Sequence, residues 1–518
     1  MRRWLVAIPV VALASTVCPS PARADYLAYL LDANGAGSEP DAAADLLEWA
    51  GPSEDSTLPA ILAVAVKAAP PLQQARIDIA VAEAQISETW IRNDYLIKAQ
   101  VAASKTNGGV IDGFPIDGSK SVSAGVDVVR SLSTGATVDV HAGTQYTDLE
   151  ASGAASVFAS AEWIDSVTAS ITQPLFKGRG HELFDATESK AVLNRDVTVL
   201  ANRLAAIQVV QTIVSSYWDL VLAERQVAIT QQSLDLARER LRVTQVQAQG
   251  GKTAPSEIPA VEQIIATRQE DVLNGELAVL SASIALRRAA GMPIGRGALG
   301  LRVASDVDIE SATWDLGALT ERAYAASPQL AELAKQGASA TIDIEVTENG
   351  LMPQLDLALQ AGPTGQAGGF VNAGKGLVEL NQFTVGGSLT FSRSLSQWDV
   401  KGRSRELRTA REKIAVTAID IRAQIADAMA TAVSQLELAK RRVTLSQRAI
   451  DLANDNIRIE TDRFNLGRST NFDVLNRLED LRQAQLRKTQ AMIDWHKAQV
   501  VVTSLTGDLL PMYGIAVE

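Results

Sequence analysis

The stretch His181–Gln249, HELFDATESKAVLNRDVTVLANRLAAIQVVQTIVSSYWDLVLAERQVAITQQSLDLARERLRVTQVQAQ, contains neither glycine nor proline. It reads as helix throughout. At 1.5 Å per residue such a run is a rod of roughly 100 Å, longer than a globular core can cover. A second run free of both breakers, Arg403–Leu466, has nearly the same length. The two align without a gap at an offset of 216 residues: Leu220, Leu222, Ala223, Arg225, Gln231 and Arg242 match Leu436, Leu438, Ala439, Arg441, Gln447 and Arg458. The register holds through Gly251 and Gly467 to Gly291 and Gly507. The chain is an internal duplication, and a repeat of this length sets the architecture before any local detail does.

Residues 1–24 have the layout of a cleaved secretory signal. Arg2 and Arg3 form a basic start, Trp4–Val17 an apolar core, and Ala22-Arg23-Ala24 a small-residue cleavage site, so the expected mature chain begins at Asp25. Cys18 sits between Val17 and Pro19, which argues against a lipobox. With that segment removed no cysteine is left for a disulfide or a thiolate metal site. The net charge is −12, and losing the signal's arginines makes the chain more acidic still, a poor match for nucleic acid. No later segment offers about 18 consecutive apolar residues, so no transmembrane helix is expected. An exported chain can still cross a membrane as a closed β-barrel.

Residues 25–55 are acidic and punctuated by Asn34-Gly35 and Gly51-Pro52, and are read as an N-terminal extension with short helices at Tyr26–Leu31 and Asp41–Trp49. Leu58–Trp90 is helical, with Ile61, Ala65, Leu72, Ala75 and Ile79 among its apolar positions. The hydrophobic period then drops to two. Tyr95–Ala103, Val122–Val128, Ala136–Thr144 and Val167–Ile171 each alternate apolar with polar residues, giving four strands of about ten residues, long enough to cross a bilayer when tilted. The second copy shows only two such strands, Leu355–Ala361 and Phe383–Phe391. The offset between copies falls from 257 before the strands to 216 after them, so the first copy holds 41 more residues, about one hairpin near Ser121–Tyr146.

The expected division is therefore 1–24 signal, 25–55 extension, 56–291 first repeat, 292–318 linker, 319–507 second repeat and 508–518 tail. In the first repeat, strands over about 94–175 lead to the long helix 181–249 and a return helix 255–290. In the second, strands over about 353–392 lead to the long helix 403–466 and a return helix 471–505. Each strand set enters its helix through a glycine- or proline-bearing corner, Gln173–Gly178 and Ser394–Gly402.

Three motifs carry a family resemblance. They are Gln173-Pro174-Leu175-Phe176 at the strand-to-helix corner, Tyr217-Trp218-Asp219-Leu220 in the first rod, and Phe464-Asn465-Leu466-Gly467 followed by Asp473-Val474-Leu475 at the second helix turn. In their order, spacing and duplication over about Thr57–Gly507 they resemble the TolC family of outer-membrane channel proteins (outer membrane factors). The resemblance implies an α plus membrane-β fold: a long periplasmic α-helical barrel joined to an outer-membrane β-barrel, closed by a homotrimer. It also implies two partners, a periplasmic adaptor protein and an inner-membrane pump of the resistance-nodulation-division or ABC type. Polar strand faces would then line water and apolar ones face lipid, and a lone protomer would leave open sheet edges in hydrocarbon. Two features depart from the family. The extra hairpin makes either six strands per protomer in the barrel, the reading its clean alternation favours, or a projection outside the cell. The first tip, Gln249–Pro259, carries Pro255 and Pro259 and lacks the usual pattern.

The resemblance places Asp473 at the periplasmic mouth, where a threefold ring of carboxylates would narrow the entrance and favour cations. The alternative for Asp473 is an acid in a first helical turn, stabilised by the macrodipole. Asn476, one turn on, stands where relatives often have a second acid, and Glu257 is the copy-one equivalent of Asp473. Gly251 and Gly467 are expected to turn the chain at the tips, with Lys252, Arg468 and Phe464 beside them as adaptor contacts; a solvated turn or core packing are the plainer alternatives. Gly250-Gly251-Lys252-Thr253 is not a phosphate-binding loop, because Val246 stands where its first glycine belongs. His141, His181 and His496 form no metal spacing. No catalytic grouping, cofactor or metal is expected. The leading reading is a passive exit duct of a tripartite efflux system. The outer-membrane component of type I protein secretion is an alternative, and a non-porous periplasmic coiled-coil scaffold is a third reading from a different class.

Overall fold

The computed structural model describes residues 54–515 apart from 112–113, 154–155, 157–158, 252–253, 296–300, 304–308 and 310–313. The signal, nearly all of the N-terminal extension with its two short helices, and Lys252 therefore lie outside the described residues.

Two rods dominate the fold. Helix α3, His181–Gln249, has 69 residues, and α8, Trp398–Asn465, has 68. The second rod begins earlier than the Arg403 expected from the last breaker, because Gly402 is carried inside it. One glycine costs a long helix only about 1 kcal/mol relative to alanine, which packing overrides. Each rod turns back into a return helix, α4 (Glu257–Ala290) after α3 and α9 (Asn471–Leu505) after α8. Before each strand set comes a pair of shorter helices, α1 (Leu58–Ala68) with α2 (Pro70–Glu88), and α5 (Leu316–Ala326) with α6 (Pro328–Asn349). Proline in the first turn of α2 and α6 fits, since the missing N–H has no helical acceptor there.

The rods bury their apolar stripes mainly at mid-length. Around α3, Val210, Ile213, Val214 and Leu220 pack with Ile61, Leu62, Leu286, Ile493 and the short C-terminal helix α10, Leu509–Met512. Around α8, Met429, Ala432 and Leu436 pack with Ala323, Trp495 and Val502. One 18-residue window of α3 reaches a mean hydropathy of 1.5, the length and composition of a membrane span, although none was expected. A third of that window is buried within the protomer. In the Tyr217-Trp218 motif both rings are buried, and Trp218 stacks on His496 at 4.0 Å. Away from this waist α8 keeps an unpartnered stripe. Leu438, Leu445, Leu452 and Ile459, seven residues apart, are all exposed.

Six strands form one antiparallel sheet in the order β1 (Leu96–Ile111), β2 (Phe114–Ser131), β3 (Thr137–Glu150), β4 (Ser160–Pro174), β5 (Gln354–Ala367), β6 (Gln382–Ser392). The extra hairpin is thus a member of the sheet and not a projection. β4 and β5 pair directly, joining the two copies. Five of the strands have 14 to 18 residues, longer than the expected ten. Their added ends are polar, as at Lys120, Asp148 and Glu150, where an apolar pattern could not reveal them.

Alternation divides the two faces. One carries Val126, Val128, Val140, Ala142, Val167, Ala169, Ile171 and Leu359; the other carries Ser123, Asp127, His141, Ser166, Thr168, Ser170 and Gln360. On the central strands Val122, Val126, Val140 and Ile171 are exposed, whereas Ser123, Asp127, Ser166 and Ser170 are half-buried, as in a sheet curved with its polar face inward. Aromatic residues mark both ends of the apolar face: Tyr146, Trp163 and Phe370 far from the rods, Tyr95 and Phe391 near them. Such paired girdles flank the lipid band of membrane barrels.

An unexpected helix, α7 (Phe370–Val378), joins β5 to β6 and lies on the apolar face against β4 and β5. Gly365 allows the close approach, since a Cβ there would stand 2.0 Å from the Ala373 carbonyl oxygen. At the opposite end, the corner after β4 is closed by backbone bonds from Leu175 to Leu355 (2.8 Å) and from Gly180 to Thr134 (3.2 Å). Gly135, at φ 87°, fits there because any side chain would meet the Gly178 carbonyl.

Candidate functional site at the helix tips

The end of the helix bundle remote from the sheet is built by two tight turns. In the first, α3 stops at Gln249, Gly251 takes φ 69°, and α4 starts at Glu257. In the second, α8 stops at Asn465, Gly467 takes φ 70°, and α9 starts at Asn471. Arg468 N donates to the Arg463 carbonyl at 2.8 Å and Gly467 N to that of Phe464 at 2.9 Å, closing the helix end as a left-handed glycine permits.

Asp473 closes the start of α9. Its Oδ2 accepts from the Thr470 hydroxyl at 2.7 Å, the Thr470 backbone N–H at 3.0 Å and the Ser469 hydroxyl at 3.2 Å, while Asp473 N donates to Thr470 Oγ1 at 3.3 Å. This reciprocal arrangement is a capping box. The hydrogen bonds from Thr470, side chain then backbone, hold the Asp473 carboxyl below the usual aspartate range. The acid therefore stays ionised at the tip while it caps the helix.

Glu257, its counterpart in the first copy, is used differently. It accepts from Asn471 Nδ2 at 2.6 Å, and Asn471 Oδ1 in turn accepts from Arg240 Nε at 2.7 Å. The Arg240 guanidinium lies 3.9 Å above the Phe464 ring. Arg240 is buried, and its Nη2 has no hydrogen-bond partner among the described residues. Burial pulls the guanidinium below its ordinary value and the Glu257 carboxylate opposes that. Arg240, Asn471, Glu257 and Phe464 thus tie the tip of one hairpin to the tip of the other. A second tie lies further along, where Glu479 bridges Arg268 and Arg482. Burial would raise the Glu479 carboxyl, but Arg482, Gln483 and Arg268 outweigh it and hold the group at about 2.

The expected site residues separate accordingly. Asp473, Gly251, Gly467 and Arg468 lie at the tip surface, Asn476 is exposed one turn along α9, and Glu257 is half-buried in the tie. Phe464 is only 7% exposed, so within this protomer it packs under Arg240 and offers no contact surface, a correction to its expected place among the adaptor contacts. The exposed apolar side chains at the tip are instead Leu466 and Phe472. Arg240 and Asn471 were not singled out from the sequence. The available signal was a break in the duplication: the alignment sets Arg240 against Asn456 and Asn471 against Pro255. Among the described residues no group of three or more His, Cys, Asp or Glu is placed to hold a metal ion.

Comparison with known proteins agrees with this architecture. Residues 122–292 match the family model described as outer membrane efflux protein. Nodulation protein T of Rhizobium leguminosarum bv. trifolii is 20% identical over 307 residues, 59% of this chain and 64% of that protein, so the chain spans less than two thirds of this relative. Among solved structures, the outer membrane protein VceC of Vibrio cholerae superposes with a TM-score of 0.61 at 13% identity, covering 87% of this chain and 96% of VceC. The CmeC outer membrane channel of Campylobacter jejuni gives 0.62 at 12% identity, over 91% of this chain and 94% of CmeC. Those two likenesses carry the fold, and the family match lies across β2 to α4, where the sheet enters the first rod. Residues 122–292 thus carry an outer membrane efflux protein domain, and the chain as a whole has the fold of outer-membrane channel proteins.

Proposed function

We propose that the protein is the outer-membrane exit duct of a tripartite efflux system, acting as a homotrimer that passively conducts small molecules delivered by an inner-membrane pump through a periplasmic adaptor. One observation carries this reading: a sheet polar on its concave face and apolar on its convex face, with β1 and β6 left as open edges, continues into rods of about 100 Å. Open edges in hydrocarbon are too costly to persist, so the sheet closes with other copies. Six strands from each of three protomers make eighteen, a number that leaves an aqueous channel. The exposed heptad stripe Leu438, Leu445, Leu452, Ile459 supplies a helical seam for the same closure.

In this assembly the signal is cleaved before Asp25 and the rods cross the periplasm. Asp473, with Asn476 and Glu257 behind it, surrounds the entrance, where its ionised carboxylate favours cations. Gly251, Lys252, Gly467 and Arg468, joined by Leu466 and Phe472, form the surface that meets the adaptor. The widened sheet also favours a second reading, export of a protein cargo by a type I secretion complex, because barrel diameter grows with strand number. The test is single-channel recording of the detergent-extracted protein in planar bilayers, paired with its native mass. A trimer with a steady aqueous conductance is expected; a non-conducting species without bilayer insertion overturns the duct and favours a periplasmic scaffold.

A further inference from the structure

The apolar face of the sheet ends differently at its two limits. Remote from the rods its outward positions run into charges of both signs, where Lys120 pairs with Asp148 at 3.7 Å and with Glu150. At the rod end they run into cations alone. On β4 the outward series Val167, Ala169, Ile171 continues past the end of the strand. Leu175 N still donates to the Leu355 carbonyl at 2.8 Å and Lys177 N to that of Pro353 at 3.3 Å, in the register that pairs Ile171 with Leu359. Lys177 therefore keeps the outward phase. On β6 the series Val385, Leu389, Phe391 faces the same way, and Arg393 is its next member. Lys177 and Arg393 thus stand on either side of Pro353, with roughly 10 Å between their backbones. Both are exposed, and among the described residues neither is paired with an acid. Arg130 ends the outward series Val126, Val128 of β2 in the same manner, its guanidinium 4.6 Å above the Tyr95 ring and again without an acid.

Depth agrees with this reading. Fourteen residues separate Trp163, in the far aromatic girdle, from Lys177. At about 3.3 Å per residue and a tilt of roughly 40° they span ~35 Å along the membrane normal. That exceeds the ~30 Å hydrocarbon core and falls short of the ~40–45 Å that includes the headgroups, so Lys177 lies at the level of lipid phosphates. The long stems of lysine and arginine let both charged ends meet over Pro353, which carries neither charge nor N–H. Toward the bilayer centre the same columns continue as Leu355, Leu357, Leu389 and Phe391, and the last two are exposed. The complement of this arrangement is a phosphate with apolar chains rising from it along the strands and no ammonium to accommodate.

We propose that Lys177 and Arg393 hold the phosphate of an anionic phospholipid in the periplasmic leaflet, with its acyl chains along Leu355 and Phe391. The rods lie on this side of the sheet, so the leaflet follows from the duct reading, on which the inference rests. Head and chains are separated along the strands, and therefore in depth. β6 is the edge left for the next copy, which puts the lipid beside the seam between protomers.

The test uses the full-length protein in nanodiscs of equal parts phosphatidylglycerol and phosphatidylcholine with identical chains, with retained lipid counted by native mass spectrometry. One retained phosphatidylglycerol per protomer is expected, favoured over phosphatidylcholine by about twentyfold, the factor two basic residues at an interface supply. Lys177→Gln or Arg393→Gln alone should leave a preference of about fivefold, and the double variant none. Lys120→Gln removes the same charge at the opposite limit of the face and should keep the full preference. Equal retention of the two lipids by the unaltered protein, an undiminished preference in the double variant, or an equal loss in Lys120→Gln overturns the proposal. So does displacement of the lipid by soluble glycerol phosphate, which would make the pair a free-phosphate site. Conductance of the same preparations separates the two ideas: a conducting protein without lipid preference removes this site and leaves the duct standing.

Discussion

Arg240 Nε and Asn471 Oδ1 stand 2.7 Å apart, although 231 residues of chain separate them. Asn471 relays that contact to Glu257, so three residues on three helices hold the two hairpin tips together. Removing the arginine leaves a buried amide and an acid without their cation. Arg240→Ala is expected to cost about 3 kcal/mol of local stability. Hydrogen exchange at the tip should then accelerate by about 100-fold, and single-channel traces should spend more time open. Unchanged exchange at 464–475 would show that the tie holds nothing.

The cap at α9 makes a separable prediction. Thr470→Ala removes the hydroxyl of the capping box and should cost about 1 kcal/mol, read from faster exchange of the first α9 amides. Asp473→Asn should, in addition, lower cation preference at the mouth. Because the Asp473 carboxyl is held below the ordinary aspartate value by Thr470, that preference should persist as pH falls through 4 and fade only below it. Cation preference identical in Asp473→Asn and the unaltered channel would leave Asp473 as a cap alone.

Glu479 gives a pH signature of stability. Its folded value of about 2 lies below the ordinary 4.5, so its contribution is present above 4.5 and is lost as pH falls from there toward 2. After discounting for its part-exposed position, the contribution is about 1 kcal/mol. Glu479→Gln should lower the thermal midpoint at pH 7 and converge with the unaltered protein near pH 2.

The two faces of the sheet should respond oppositely to a charge. Val126→Arg places a guanidinium on the apolar face, at a cost of about 2–4 kcal/mol near the bilayer centre. Ser123→Arg places the same group on the polar face. Outer-membrane fractionation should recover the second and deplete the first; the reverse would mean that the faces have been assigned the wrong way round, and equal recovery that they do not differ in environment.

Much of this was readable in the chain because long-range order here is built from local repetition. A run without glycine or proline reports a rod, and a period of two reports a strand with two environments. The offset between copies reported an added hairpin that the sheet does contain. Features governed by single contacts were not readable. Helix α7 is written in FVNAGKGLV, where two glycines and an asparagine oppose helix, and it packs on β5 because Gly365 lets its backbone come close. The start of α8 was misplaced by Gly402 for the same reason, since packing outweighs one weak residue. Asp165 sits in an otherwise apolar alternation, and nothing in its spacing says that a helix from the other copy covers it. Core packing was the plainer reading of Phe464, but its cover, the Arg240 guanidinium 3.9 Å above the ring, was not legible.

The near-equal rods, 69 and 68 residues, bear on how this chain can change over time. The same sheet anchors both at one end, and Arg240, Asn471 and Glu257 knot them at the other. Inserting one helical turn into a single rod would shift its tip by roughly 5.4 Å, enough to pull the knot apart. Reach can therefore be lengthened or shortened only by matched changes in both halves of the duplication. The gene's two copies are free to drift in composition, but they inherit their length as a pair.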